Sequence, residues 1–219
     1  MTRKRKRRKI KKSFLLIVLF LVIIIVSLVV FNIISNNDND SIATSKVVDT
    51  ISGYGYVTYD NDTKLFKDKY YELKEVLSHK DVDNLEYSKL VAELFVIDFF
   101  TLDNKISKND VGGVQFVYSN YKSSFVDKAR DEFYKYVDSN LNGDRSQKLP
   151  EVSDIRVDSC DSTSLKNILD SSLFGSVSEA YSIKLSWDYK EDLGYQDEAY
   201  VIVVQDEDNK FSVAKLYSE

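Results

Sequence analysis

The sequence predicts an α+β protein: an N-terminal transmembrane helix, then helices packed on a curved antiparallel sheet. Three observations predict it, namely a long apolar run near the N-terminus, then segments with helical apolar spacing, then strands of alternating polarity. Helices followed by an antiparallel meander are typical of α+β layer architectures. We divide the chain into a basic cytoplasmic tail (1–12), a transmembrane helix (13–34), a polar tether (35–50) and an extracytoplasmic α+β domain (51–219).

The membrane anchor is predicted from an apolar run, Phe14–Ile34, that only Ser27 and Asn32 interrupt. At a rise of ~1.5 Å per residue this run is about 31 Å long, which matches the hydrocarbon core of a bilayer. A cleaved signal peptide is the alternative, but its apolar core is shorter and a small-residue cleavage site follows it. The residues after Ile34 offer no such site, so we expect an uncleaved anchor.

The orientation of the anchor is predicted from the charges that precede it. Nine basic residues and no acidic residue occur before the apolar run: Arg3, Lys4, Arg5, Lys6, Arg7, Arg8, Lys9, Lys11 and Lys12. The positive-inside rule places this end in the cytoplasm and the following domain on the other side of the cell membrane. The lipid bilayer is therefore the first predicted partner.

The charge of the remaining chain excludes one class of partner. Only 21 of the 30 basic residues lie beyond the tail, together with all 35 acidic residues. Nucleic-acid affinity depends on Lys and Arg, so we expect no nucleic-acid partner for this acidic domain. Cys160 is the only cysteine, so no intrachain disulfide can form and packing must hold the fold.

The first half of the outer domain is predicted to be helical. Apolar residues at helical spacing indicate three helices, each with one buried stripe. They cover Thr63–Ser78, with Asp62 as N-cap, then Asn84–Asn104 and Tyr121–Ser139. We interpret Ile51–Tyr59, which comes before them, as an extended or turn-rich lead-in.

The second half is predicted to be an antiparallel sheet. The clearest strand alternates Tyr181, Ile183, Leu185, Trp187 and Tyr189 with polar residues, which indicates one buried face. Further strands are predicted at Val152–Val157, Glu198–Gln205 and Lys210–Tyr217, with a hairpin turn at 206–209. A short connecting helix is predicted at Ser164–Leu173.

This order of elements resembles the nuclear-transport-factor-2-like fold, a cystatin-like cone. Membrane-anchored members of that fold include assembly factors of type IV secretion and conjugation machines. The stretches 98–105 (DFFTLDNK) and 109–117 (NDVGGVQFV) are also similar to single-pass membrane proteins of Firmicute-type bacteria. The first resemblance implies a cone-shaped domain in which a curved sheet faces the helices.

The polar site that the sequence singles out is centred on Asp98, which falls on the apolar stripe of the second predicted helix. A buried carboxylate needs a hydrogen-bond donor or a shifted pKa. One interpretation is a pocket acid or ligand. The other is a structural carboxylate bonded to a tyrosine, to Arg130 or to the backbone of Gly112 and Gly113, where the paired glycines predict a tight turn. Asp110 belongs to the same loop.

Three aromatic residues of the clearest strand have two interpretations. Tyr181, Trp187 and Tyr189 either pack in the core against the helices or form a sheet face that contacts a partner or lines a pocket. His79 is expected at a helix end, and no base or orienting group pairs it with Cys160 for catalysis. No metal or cofactor motif occurs, and we expect neither.

These observations predict a membrane-anchored extracytoplasmic interaction or assembly module without catalytic activity. Its partner would be another protein or a second copy of itself. The alternative is a small-ligand-binding or sensing domain with a cone-like cavity near Asp98. A filled core would favour the first function and a deep polar cavity the second.

Overall fold

A computed structural model of the chain describes residues 45–163 and 179–218. The basic tail, the apolar run, most of the tether and the predicted helix Ser164–Leu173 lie outside these residues. The described helices are α1 (Lys64–Ser78), α2 (Asn84–Phe100) and α3 (Lys122–Asp131). The strands are β1 (Val47–Ile51), β2 (Tyr56–Tyr59), β3 (Val152–Ser162), β4 (Ala180–Tyr189), β5 (Glu198–Gln205) and β6 (Phe211–Tyr217).

The predicted α+β class is confirmed, with two antiparallel sheets in the described part of the chain. One is the hairpin β1–β2, and the other is a meander with the strand order β3-β4-β5-β6. Within 45–163 and 179–218, no helix combines the length and the apolar character needed to cross a membrane.

Helix α2 is the centre of the fold. It contacts α1 on one side and all four strands of the meander on the other. Almost every residue from Tyr87 to Ile97 is therefore buried, not only the predicted stripe. The helix ends at Phe100, four residues before the predicted end. At Thr101 the backbone becomes extended, and the N–H groups of Leu102 and Asp103 donate to the carbonyl of Pro150.

The N-terminus of α1 differs from the prediction by one residue. The N-cap is Thr63, whose Oγ1 accepts a hydrogen bond from the Phe66 N–H at 3.2 Å. Asp62 was the predicted cap, but its carboxylate accepts instead from the Tyr59 N–H and from Thr58 Oγ1. Asp62 therefore stabilises the end of β2 and does not cap the start of α1.

Helix α3 is much shorter than the predicted helix Tyr121–Ser139. A 3₁₀ turn precedes Lys122, and the α-helix ends at Asp131. The chain then turns so that the hydroxyl of Tyr134, which is fully buried, reaches the carbonyl of Phe99 at 2.7 Å. The helix has therefore ended before the chain makes this contact with the end of α2.

The predicted tether and lead-in contain a hairpin that the sequence analysis missed. Strand β1 starts at Val47, inside the predicted tether, and pairs with β2. A closed set of hydrogen bonds ties this hairpin to α2 and β6. Tyr56 donates to the carbonyl of Phe211 (2.6 Å), Tyr87 donates to Tyr56 (2.9 Å), and the Phe211 N–H donates to Tyr87 (3.2 Å).

The strands of the meander follow the predicted alternation. Strand β5 has the predicted bounds, β6 begins one residue later than predicted, and β3 extends five residues further than predicted. The interpretation of Trp187 as core is confirmed, because it is 1% exposed and its ring lies 4.5 Å from that of Phe100. The alternating face of β4 is therefore the face that packs against α2.

Candidate functional site

The carboxylate of Asp98, two residues before the end of α2, is held by two donors. The N–H of Gly113 donates to Oδ2 at 2.7 Å, and Lys105 Nζ donates to Oδ1 at 2.5 Å. The side chains of Asp98 and Lys105 are 17% and 7% exposed. The contact with Gly113 is one that the sequence predicted, whereas the contact with Lys105 was missed.

The loop that contains Gly112 and Gly113 approaches α2 so closely that both positions require glycine. A Cβ atom on Gly112 would lie 2.1 Å from the backbone oxygen of Asp98. Gly113 has a φ of +76°, and a Cβ there would lie 2.8 Å from the ring of Phe95. The predicted tight turn and close backbone approach are therefore confirmed.

Tyr134 joins the same loop to the C-terminal end of α2. Its hydroxyl donates to the Phe99 carbonyl and accepts from the Gly112 N–H at 3.0 Å. The last carbonyls of a helix have no partner within the helix, so this bond caps one of them. Burial raises the pKa of Tyr134 well above its usual range, so the hydroxyl stays protonated.

Arg145 closes the segment that follows α2. Its side chain is 3% exposed, and its guanidinium donates to the carbonyls of Lys105 (2.7 Å) and Asp103 (2.5 Å). Asp110 accepts from the Ile106 N–H at 3.0 Å and so closes the neighbouring turn. Both side chains satisfy backbone groups of the loop that contains Lys105.

The predicted role of Arg130 as a partner of Asp98 is wrong. Its guanidinium pairs instead with Asp127 (3.0 Å) and Asp131 (3.1 Å) on the exposed surface of α3. Arg130 lies within α3, where two acidic residues of the same helix are its ion-pair partners. Lys105 supplies the cation, from the turn after α2.

A narrow depression lies beside Asp98, and its lining includes Asp62, Phe66 and Asn104. It is too narrow to admit a water molecule. The Oδ1 atom of Asn104 is buried without a hydrogen-bond partner in the described part of the chain. Burial raises the pKa of the Asp62 carboxyl, although its two hydrogen bonds oppose this shift.

The sequence did not predict a second buried carboxylate, Glu93. It lies within the second predicted helix but outside the apolar stripe of that helix, so it does not interrupt the apolar pattern. Its side chain is 7% exposed, and Oε1 lies 3.3 Å from Lys69 Nζ on α1. Burial raises the pKa of Glu93 to about 7, despite the opposing effect of Lys69. This carboxylate therefore titrates near neutral pH.

The remaining predicted site residues are not brought together with Asp98. Tyr181 and Tyr189 are half-buried and pack against the core, as Trp187 does. His79 caps the C-terminus of α1, and Cys160 lies on β3. Among residues 45–163 and 179–218, no cluster of three or more His, Cys, Asp or Glu residues has the arrangement of a metal site.

Asp98, Lys105, Tyr134 and Arg145 form a cluster of hydrogen bonds that holds the end of α2 against its neighbouring loops. The polar atoms of Asp98, Lys105, Tyr134 and Arg145 described above are directed at partners within the protein. Comparison with protein-family models, curated proteins and solved structures found no match for this chain. The resemblance to nuclear-transport-factor-2-like proteins therefore stays a prediction from element order.

Proposed function

We propose that the protein is a single-pass membrane protein whose extracytoplasmic domain binds another protein or a second copy of itself, without catalysis. The observation that carries this proposal is the apolar run Phe14–Ile34, preceded by nine basic residues and followed by an acidic chain. A run of this length needs a bilayer core to bury it on every face. In this proposal the domain begins at β1, with twelve residues between Ile34 and Val47.

The geometry of the described domain supports binding through a surface. The depression beside Asp98 is too narrow for water, and Asp98 itself is engaged by Lys105 and Gly113. Ligand pockets are typically several hundred Å³ in volume and enclose most of the ligand. The small-ligand alternative would need this depression to widen on binding, so it remains the weaker hypothesis.

The proposed anchor is tested by placing a charge in the middle of the apolar run. Ile24→Lys should reduce the fraction of full-length chain that stays in the membrane pellet after an alkaline wash. A lysine at the centre of a spanning helix costs about 2.5–3.5 kcal/mol of insertion free energy. Ser27→Leu, which removes a polar residue from the same run, should leave that fraction unchanged or raise it. Wild-type chain in the soluble fraction would contradict the proposal.

A further inference from the structure

The turn formed by residues 140–143, between α3 and β3, contains the dipeptide Asn142-Gly143, which the proposed function does not use. Both residues are exposed. Within the part of the chain that the structure describes, the side-chain amide of Asn142 makes no hydrogen bond. An exposed amide without a partner changes rotamer readily, so its Cγ atom can approach the backbone nitrogen of the next residue.

Gly143 offers little steric hindrance to this approach. Its φ is +72°, and among the described residues a Cβ atom at this position would meet no heavy atom within 4 Å apart from its chain neighbours. Its N–H donates to the carbonyl of Asn140 at 3.1 Å, but this bond closes an exposed turn. Exposed backbone hydrogen bonds of this kind open at low free-energy cost, which releases the nitrogen. Glycine also permits the backbone angles that ring closure needs.

We propose that Asn142 is a site of spontaneous deamidation, an inference that does not depend on the membrane anchor. The backbone nitrogen of Gly143 loses its proton and forms a bond to Cγ of Asn142, and the amide nitrogen leaves with that proton as ammonia. The product is a cyclic succinimide. One water molecule then opens the ring at either carbonyl and gives aspartate or isoaspartate, in which the backbone passes through the former side chain.

The turn is attached on both sides of this site to the segment that follows α2. Before the site, the N–H of Asn140 donates to the carbonyl of Ile106 at 2.7 Å. After it, the guanidinium of Arg145 donates to the carbonyls of Lys105 and Asp103. The Arg145 N–H also donates to Asn140 Oδ1 at 3.0 Å. Isoaspartate adds one methylene to the backbone between these fixed points, so it loosens the attachment of the turn.

The proposed conversion is measured by peptide mass spectrometry on full-length chain reconstituted in phosphatidylethanolamine–phosphatidylglycerol vesicles. During incubation, OH should replace NH2 at Asn142 at least about tenfold faster than at Asn109, which is exposed but precedes Asp110 and not glycine. The rate should rise with pH, because the attacking nitrogen must be deprotonated. Labelling by protein isoaspartate methyltransferase should identify the isoaspartate product. Asn142→Gln should abolish both signals at this position, since the larger glutarimide ring closes much more slowly.

A second measurement tests the effect of isoaspartate on the turn. In chain that carries isoaspartate at position 142, hydrogen exchange of the Asn140 amide should be at least about threefold faster than in freshly prepared chain. Asn142→Asp adds the same negative charge without the extra backbone methylene. This variant should therefore leave the exchange of the Asn140 amide nearly unchanged.

Three results would overturn the inference. Conversion at Asn142 that is no faster than at Asn109 would show that the turn protects the amide. Unchanged exchange of the Asn140 amide in the isoaspartate form would show that the attachment tolerates the longer backbone. Equally fast exchange in the Asn142→Asp variant would assign the effect to the added charge and not to the backbone.

Discussion

At the scale of single residues, the hydrogen bonds of Asp98 distinguish a structural carboxylate from a pocket acid. Its carboxylate joins the end of α2 to the glycine loop and to Lys105. A pocket acid would face open space, whereas Asp98 faces two donors of its own chain. We therefore expect Asp98 to contribute to stability, because its removal would leave the ammonium of Lys105 and the N–H of Gly113 without this acceptor.

Asp98→Leu should lower the free energy of unfolding by about 1–3 kcal/mol, because a buried donor that loses its partner keeps its desolvation cost. Asp98→Asn retains an acceptor oxygen and should cost less. Adding Lys105→Met to Asp98→Leu should cost less than the sum of the single changes, since it removes the orphaned charge. Urea denaturation of the full set measures these differences.

A matched control for this series is Asp103→Leu. The carboxylate of Asp103 is 56% exposed and lies 3.9 Å from Arg145. Its loss should therefore change stability by no more than about 0.5 kcal/mol. Unchanged midpoints for both Asp98 variants would contradict the structural role and make Asp98 the first residue to test for ligand binding.

Glu93 should make the stability of the domain depend on pH. Its pKa of about 7 in the folded chain lies above the ordinary value of 4.5, so folding favours the protonated carboxyl. This contribution is fully present below pH 4.5 and is lost as the pH rises through 7. Lys69 and Glu72 on α1 and Glu86 on α2 are the charged groups that act on it.

Glu93→Gln should therefore gain stability relative to wild type between pH 5 and pH 8, by about 1–3 kcal/mol. Denaturation curves at several pH values measure this difference. Glu75→Gln on α1 changes an exposed carboxylate that is not among these groups, so it should show little pH-dependent gain. A Glu93→Gln difference that is flat across this range would place the pKa of Glu93 near its ordinary value.

At the scale of elements, the hairpin β1–β2 is attached to the domain by side chains from distant parts of the chain. The side-chain amide of Gln115 makes two hydrogen bonds with the backbone of Val57, as a neighbouring strand would. Tyr70 adds a hydrogen bond from α1 to the carbonyl of Tyr56 at 3.3 Å. These contacts close the outer edge of β2.

Gln115→Met should destabilise the domain by about 1–3 kcal/mol, because it keeps the length of the side chain but leaves the N–H and carbonyl of Val57 unpaired. Hydrogen exchange of the Val57 amide should accelerate by more than that of amides in α2. Gln196→Met removes one hydrogen bond of an exposed glutamine and should have a much smaller effect. Equal effects of the two substitutions would contradict the edge-closing role of Gln115.

The elements that the sequence predicted well are those whose pattern is local. Helix α1 and strand β4 each bury one face. An apolar period of 3.6 residues was therefore sufficient to predict the helix, and a period of 2 residues was sufficient to predict the strand. Lys105, Tyr134 and Gln115 could not be found in this way. Lys105 binds the carboxylate of Asp98 from a turn outside the helix, and the partners of Tyr134 and Gln115 are backbone groups 35 and 58 residues away. No local pattern records such contacts. The early end of α3 was missed for the same reason.

At the scale of the whole molecule, the charge is divided between a basic N-terminal tail and an acidic remainder of the chain. The described domain buries its apolar surface around α2, which contacts every strand of the meander. For the apolar run Phe14–Ile34 we propose burial in a bilayer, with the basic tail on the cytoplasmic side.

The orientation of the chain is measured most directly by labelling engineered cysteines in intact cells. In a chain with Cys160→Ser, single cysteines at Thr2 and at the exposed Ser218 are treated with a membrane-impermeant maleimide before and after the cells are lysed. An anchored protein with a cytoplasmic tail predicts labelling of residue 218 in intact cells and of residue 2 only after lysis. Labelling of residue 2 in intact cells, or a mature N-terminus near Ser35, would contradict the anchor and its orientation.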